Sequence, residues 1–368
     1  MNDFTMVAMS GGVDSSVTAW LMQQSGRPIA GLFMKNWEDD DVDGACSAEQ
    51  DAADARSVAE QLGIPFHARN FAMEYWESVF EEFLSELKAG RTPNPDVLCN
   101  REIKFKVFLE HARDLGAQRM ATGHYARRQD CSNEARLLKG VDPDKDQSYF
   151  LYMLTQEQLQ QAEFPIGELR KTELRAMARQ AGLPTASKKD STGICFIGER
   201  NYDAFIERYL TGQPGDIVTT DGRCIGRHRG LIHYTLGQRR GLGIGGVRGF
   251  PEAPWYTVHK DVNNNHLFVT QDAEDPHLCS TALTASQLTW IAGLPPEPNA
   301  RLKAKIRYRQ SDQDIELVDL NQQQDRMEIR FKQPQRAVTP GQSVVLYDND
   351  VCLGGGIIHD SDRVIPQL

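Results

Sequence analysis

Two cysteines lie in segments whose neighbours could make a thiol react. Residues 91–100 read Arg-Thr-Pro-Asn-Pro-Asp-Val-Leu-Cys-Asn. Pro93 and Pro95 exclude a helix there and hold Asn94 extended, so Asp96 and Cys99 are expected to emerge from a stiff loop just ahead of a helix. A helix N-terminus with Arg101 and Lys104 close in sequence favours thiolate over thiol, although a lone cysteine is more often a small buried hydrophobe. Cys195 follows Lys188, Lys189 and Asp190, and its neighbours Ile194 and Phe196 fit a buried strand equally well. A third segment, Val-Ala-Met-Ser-Gly-Gly-Val-Asp-Ser-Ser at 7–16, reads as a short strand, a glycine turn and a helix starting near Asp14. Gly11 and Gly12 let the chain turn with backbone N–H groups outward, and Asp14, Ser15 and Ser16 fall where helix caps belong, so a phosphate can rest on the helix N-terminus. The turn lacks the lysine that a Walker loop requires, which excludes that class.

These residues need a scaffold. Val7–Ser10, Ile29–Met34, Pro65–Phe71 and Gln118–Thr122 read as strands between helices near 14–25, 49–62, 73–88 and 102–115, the βαβ rhythm of a parallel sheet. Ligands bind at the carboxyl ends of such strands, where the glycine turn, Met34 and Gly123-His124 fall. Helices are expected over Gln147–Gln161 and Lys171–Ala181, with a loop over Pro184–Gly198 and variable tips at Asp130–Ala135 and Val247–Pro251. Beyond Pro214 glycines and β-branched residues increase. The chain therefore divides into an α/β parallel-sheet domain (1–210), a small central β domain (211–280) and a C-terminal β-barrel (281–368), the last with alternating runs at Arg301–Arg309, Ile315–Leu320, Arg326–Phe331 and Ser343–Tyr347.

At 368 residues, 40% of them hydrophobic, the chain can build two or three ordinary cores. It has no basic-then-apolar leader and no uncharged stretch long enough to span a bilayer, so a cytoplasmic protein without membrane attachment is expected. Its seven cysteines form no C-x-x-C pair, which argues against zinc or iron–sulfur ligation. The net charge of −10 is unevenly spread: residues 222–251 hold six arginines and no acid. Arg301, Lys303, Lys305, Arg307 and Arg309 alternate with Leu302, Ala304, Ile306 and Tyr308, which places five cations on one strand face and points to a polyanion such as RNA.

The glycine turn resembles the PP-loop of ATP pyrophosphatases, and the whole chain resembles the tRNA-specific 2-thiouridylases. The match runs in order through Met-Ser-Gly-Gly-Val-Asp-Ser-Ser, Gly-Arg-Thr-Pro-Asn-Pro-Asp-Val-Leu-Cys-Asn, Ala-Thr-Gly-His-Tyr, Lys-Asp-Gln-Ser-Tyr-Phe-Leu, Asp-Ser-Thr-Gly-Ile-Cys-Phe-Ile-Gly, His-Tyr-Thr-Leu-Gly-Gln-Arg-Arg-Gly-Leu-Gly-Ile-Gly-Gly, Thr-Pro-Gly-Gln-Ser and Cys-Leu-Gly-Gly-Gly-Ile-Ile. The missing C-x-x-C pairs set it apart from the 2-thiocytidine enzymes. The resemblance implies a PP-loop domain, a central β domain and a barrel that helps hold tRNA. It implies ATP, with magnesium, at Ala8, Met9, Ser10, Gly11, Gly12, Val13, Asp14, Ser15, Met34 and Gly123. Asn94, Pro95 and Asp96 would lie beside the target base, and His124, Lys145, Asp146, Gln147, Arg307, Tyr308 and Gln342 would contact tRNA.

The implied reaction adenylates the C2 oxygen of the wobble uridine in tRNA for Lys, Glu and Gln, then replaces it by sulfur, releasing AMP and pyrophosphate. Cys195 would carry a persulfide received from a sulfur-relay protein fed by a cysteine desulfurase. Its sulfur would attack directly, or leave as hydrosulfide when Cys99 forms a disulfide with Cys195; Asp96 would transfer protons. The alternatives are another adenylating PP-loop enzyme acting on a small molecule, and a non-catalytic RNA-binding protein.

Overall fold

A computed structural model describes residues 4–38, 47–132, 134–190, 202–297 and 300–366. Strands β1 (Thr5–Met9), β2 (Ile29–Lys35), β3 (Phe66–Asn70), β4 (Arg119–Ala121) and the short β7 (Ala162–Glu163) form a sheet ordered β3-β2-β1-β4-β7, parallel at every pairing. Alternation along β1 feeds two cores. Met6 joins the cluster with Leu32, Phe71, Cys99, Ile103 and Phe105, whereas Val7 and Met9 join Val17, Val58 and Leu174. Helices α1 (Val13–Gln24), α2 (Ser47–Leu62) and α3 (Lys171–Gln180) supply that second cluster. The strand order reverses beside β1, so the crevice between the ends of β1 and β4 is a topological switch point.

Two expectations in this region need correction. The Gln147–Gln161 stretch is a 3-10 turn at Ser148–Phe150 followed by a helix confined to Gln156–Gln161. Tyr149, Leu151, Tyr152, Met153 and Leu154 are buried from irregular backbone, because a run apolar on every side has no helical face to expose. The variable tip at Asp130–Ala135 is mostly strand: Asp130↔Ala135 and Cys131↔Glu134 pair at the end of a hairpin, β5 (Ala126–Cys131) and β6 (Glu134–Lys139).

The central sheet is ordered β10-β11-β8-β9, from β8 (Gly215–Thr219), β9 (Cys224–His228), β10 (Tyr256–Asp261) and β11 (His266–Thr270). The C-terminal strands β12 (Cys279–Trp290), β13 (Lys303–Lys305), β14 (Gln313–Asn321), β15 (Arg326–Arg336), β16 (Ser343–Asp348) and β17 (Val351–Ser361) close into a six-stranded barrel through the β12–β17 pairing. Leu283, Ala304, Ile315, Ile329, Val344 and Ile358 fill it. The β5–β6 hairpin extends this sheet by pairing β6 with β17 at Val351↔Leu138 and Cys352↔Leu137.

The basic strand is shorter than its pattern. Pairing ends at Lys305, the Ile306 N–H turns to the Gln310 side chain at 2.8 Å, and Arg309 adopts φ 62°. Lys305 is buried on Asp146 at 3.1 Å. Five cations on one strand face is therefore incorrect; Arg307 and Arg309 sit on the turn that follows.

Candidate active site where three sheets meet

The glycine turn folds as an anion cradle, but with a different cap from the one expected. Gly12 is the N-cap, and no side chain caps α1. The hydroxyls of Ser15 and Ser16 donate back to the Gly12 carbonyl at 3.1 and 2.8 Å, and Thr185 steadies Ser16 at 2.8 Å. The first-turn N–H groups thus have no intrahelical partner and no side-chain cap, which suits a phosphate. Gly11 has φ 73°, and a Cβ there would lie 2.2 Å from the Asp51 carbonyl; one on Gly123 would lie 3.0 Å from the Ser15 nitrogen. Only glycine permits the end of β4 and the α2 backbone at Asp51 to close on the turn this tightly.

The lysine missing from the turn arrives from α3. Lys171 reaches the Asp14 carboxylate at 2.6 Å and Asp190 at 2.8 Å, while Tyr125 donates to the same Asp14 oxygen at 3.0 Å. Lys145 and Arg175 also grip Asp190, at 2.7 and 2.6 Å. Burial alone would raise the Asp190 pKa, but hydrogen bonds from Lys145 and Lys171 outweigh it and hold the carboxyl well below the usual carboxylate range. Burial, then the Asp14 charge, pushes the Tyr125 phenol far up, so it remains a donor. Lys188 is taken by Asp51 at 2.7 Å and by Asp54, so it is not the free neighbour of Cys195 that proximity in sequence suggested. Cys195 itself lies outside the described residues.

Residues 92–93, at the head of the segment that carries Cys99, are clamped by both other regions. Thr92 donates its N–H to the Pro340 carbonyl at 3.0 Å, and Gln342 donates to the Thr92 and Pro93 carbonyls at 2.7 and 3.3 Å. The Thr92 hydroxyl shares a 2.9 Å hydrogen bond with that of Thr235 in the central region. Contrary to expectation, the helix starts at Pro95, with Asn94 as N-cap, and passes at Cys99 into a wide π-helical stretch, Cys99–Phe108. Proline suits the first helical position because its missing N–H has no partner to lose there. Asp96 therefore lies in the first turn, and Cys99 lies one turn further on, 1% exposed. Arg101 is engaged with Glu102 at 2.6 Å.

Three domain models match in succession: the tRNA methyl transferase HUP domain over residues 4–199, its PRC-barrel domain over 203–271, and the aminomethyltransferase β-barrel domain over 280–358. The tRNA-specific 2-thiouridylase of Serratia proteamaculans is 59% identical over 354 residues, covering 96% of each chain. That of Pseudomonas paraeruginosa is 56% identical over 357 residues, covering 97% of this chain and 94% of its own. That of an Escherichia coli strain is 58% identical over 96% of each. The chain belongs to the tRNA-specific 2-thiouridylase family.

The positions that the 2-thiouridylase resemblance assigns to RNA divide by exposure. Asp146 is buried, accepting from the Gly140 and Ser148 N–H groups at 3.1 Å each. The Gln147 side chain accepts from the Tyr125 N–H at 2.9 Å. His124 is 7% exposed and shares a 2.8 Å hydrogen bond with Thr122; burial, then the Lys104 charge, keeps it neutral. Tyr308 packs tilted against Phe150 with ring centroids 4.6 Å apart, and its hydroxyl approaches the Lys145 carbonyl at 3.5 Å. Arg307 is exposed and donates to the Arg336 carbonyl. Met34 is half-buried beside the core that holds Cys99. Sequence reasoning missed Lys171. Its one local signal is a cation at the first position of a helix, where the dipole disfavours it. Among the described residues no acidic, histidine or cysteine cluster is arranged to hold a metal ion, and no helix is long and apolar enough to cross a membrane.

Proposed function

We propose that this protein is an ATP-dependent tRNA uridine 2-sulfurtransferase, acting on the wobble position of tRNA for Lys, Glu and Gln. The observation that carries the reading is the capless α1 N-terminus at the end of β1 together with a Cys99 that shares its core with Ala8 and Met34 of β1 and β2, on a segment whose start, Thr92-Pro93, is clamped by the barrel's Gln342. A single-stranded anticodon loop can present its base there, since unstacking costs less than in duplex.

ATP with magnesium supplies activation of the C2 oxygen as a leaving group. Residues Ala8–Ser15, with Met34 and Gly123 lining the crevice, hold the nucleotide, and Lys171 offsets charge at Asp14. Asn94, Pro95 and Asp96 hold the base, and Asp96 moves the proton. Cys195 delivers sulfur as a persulfide taken from a relay protein, and Cys99 stands behind the base as its partner thiol. Lys145, Arg307 and Tyr308 face the RNA, whereas Asp146, Gln147 and His124 shape the floor beneath them. The working division of the chain is 1–210, 211–280 and 281–368.

Incubation with tRNA, ATP and sulfide, followed by nucleoside mass spectrometry, should yield 2-thiouridine and one AMP per thiolated tRNA. AMP release without thiolated nucleoside would sink the reading. Cys195→Ser should lose thiolation when a protein is the sulfur donor.

A further inference from the structure

The seam between the central sheet and the barrel carries cations that no carboxylate among the described residues answers. Of the six arginines in residues 222–251, Arg223, Arg227 and Arg229 pair with Asp221, Asp216 and Asp203. Arg239, Arg240 and Arg248 are exposed and make no ion pair among the described residues. Their loop is nevertheless anchored. Leu242, Ile244, Val247 and Phe250 reach down to Trp255, Gly237 and Gln238 exchange backbone hydrogen bonds with Thr257 at 2.8 and 3.0 Å, and the Gln238 side chain holds the Thr235 N–H at 2.9 Å.

Arg336 lies across the seam. It stacks over Tyr256 at 4.7 Å and donates Nε to the Ala273 carbonyl at 3.0 Å, but its buried Nη2 has no partner among the described residues. Its Nη1 lies 3.7 Å from where a Cβ on Gly237 would stand. The Arg307 guanidinium donates to the Arg336 carbonyl, which brings a second cation to the same place, and burial and then the Arg336 charge lower its pKa. Like charges held side by side call for an anion. Since the cations are spread along an anchored loop and a barrel strand, that anion must carry several charges. The Thr235–Thr92 contact places the loop two residues from Asn94, which favours the substrate's own backbone over an acidic protein.

We propose that Arg239, Arg240 and Arg336 form a phosphate-binding seam that grips the RNA backbone beside the target nucleotide. The proposal rests on the tRNA reading above. Binding of unmodified tRNA to the full chain, measured from about 50 to 300 mM salt, tests it. The double variant Arg239→Ala/Arg240→Ala should bind about tenfold more weakly near physiological salt, with the log-log slope shallower by about 1.5 units. Arg336→Gln should flatten the slope by about a further unit, and Arg336→Lys should restore it; thermal midpoints identify any variant that fails to fold. Arg227→Ala, an equally exposed arginine with an acidic partner, should leave both quantities unchanged. Unchanged affinity and slope in the double variant and in Arg336→Gln would overturn the seam. So would intact RNA binding with thiolation lost from a protein donor but retained with sulfide, which would mark the loop as a protein-docking surface. A wild-type protein with no affinity for tRNA would instead overturn the functional reading itself.

Discussion

Asp14 takes two donors on one oxygen, Lys171 and Tyr125, so its charge is fixed in place at the mouth of the glycine turn before any nucleotide arrives. Asp14→Ala should abolish AMP formation from labelled ATP while leaving tRNA binding within a few-fold; loss of binding with normal ATP turnover would contradict the assignment. Asp190 is the hub behind it. A carboxyl depressed on folding contributes stability that is complete above its unfolded value of about 3.9 and is lost as pH falls through the folded value. Asp190→Asn should therefore unfold at a lower temperature than wild type at pH 7, with the gap closing as the solution is acidified below about pH 4. An equal gap at every pH would assign the loss to packing instead. Burial, then the Lys104 charge, holds the His124 pKa well below its usual value, so near neutral pH it takes part as a neutral hydrogen-bonding group.

At the scale of elements, the C-terminal cations separate into surface and interior. Lys305 and Asp146 are 10% and 4% exposed, and removing one member of a buried pair typically costs about 3–5 kcal/mol. Lys305→Met should lower stability by about that amount in denaturant titration, whereas Arg301→Ala should leave stability nearly unchanged. The alternation around Lys305 was legible in sequence, but the carboxylate that buries it lies 159 positions away, and no local pattern reports such a partner. Strands β1 and β2 were legible for the converse reason, each being a short apolar run beside a helix, whereas the two-residue β7 carries no pattern to read. The β5–β6 hairpin was obscured by its charge, with only Ala135 and Leu137 alternating inward on β6. Within the site, the helix that begins at Pro95 and the bare N-cap of α1 ran against the sequence reading, but the anion cradle of the turn could be read directly. Lys171 could not, since it is delivered by a helix from the far end of the domain.

For the whole molecule, the decisive place is where residues 92–93 are held by two other bodies. Gly341 has φ 91°, and a Cβ there would lie 3.0 Å from the Thr92 backbone. Gly341→Val should separate barrel and loop, lowering kcat/KM for tRNA by up to about a hundredfold, while ATP affinity by equilibrium dialysis changes by no more than about twofold. Equal loss in both would mean general unfolding. The pairing of β6 with β17 sets order of synthesis against order of assembly. At ribosomal speed, roughly ten to forty seconds separate the emergence of Leu137 from that of Val351. Throughout that interval the hairpin's outer edge is bare, a template for any passing strand. The nascent catalytic portion thus stays open to strand pairing until the final strand of the barrel is made and covers it.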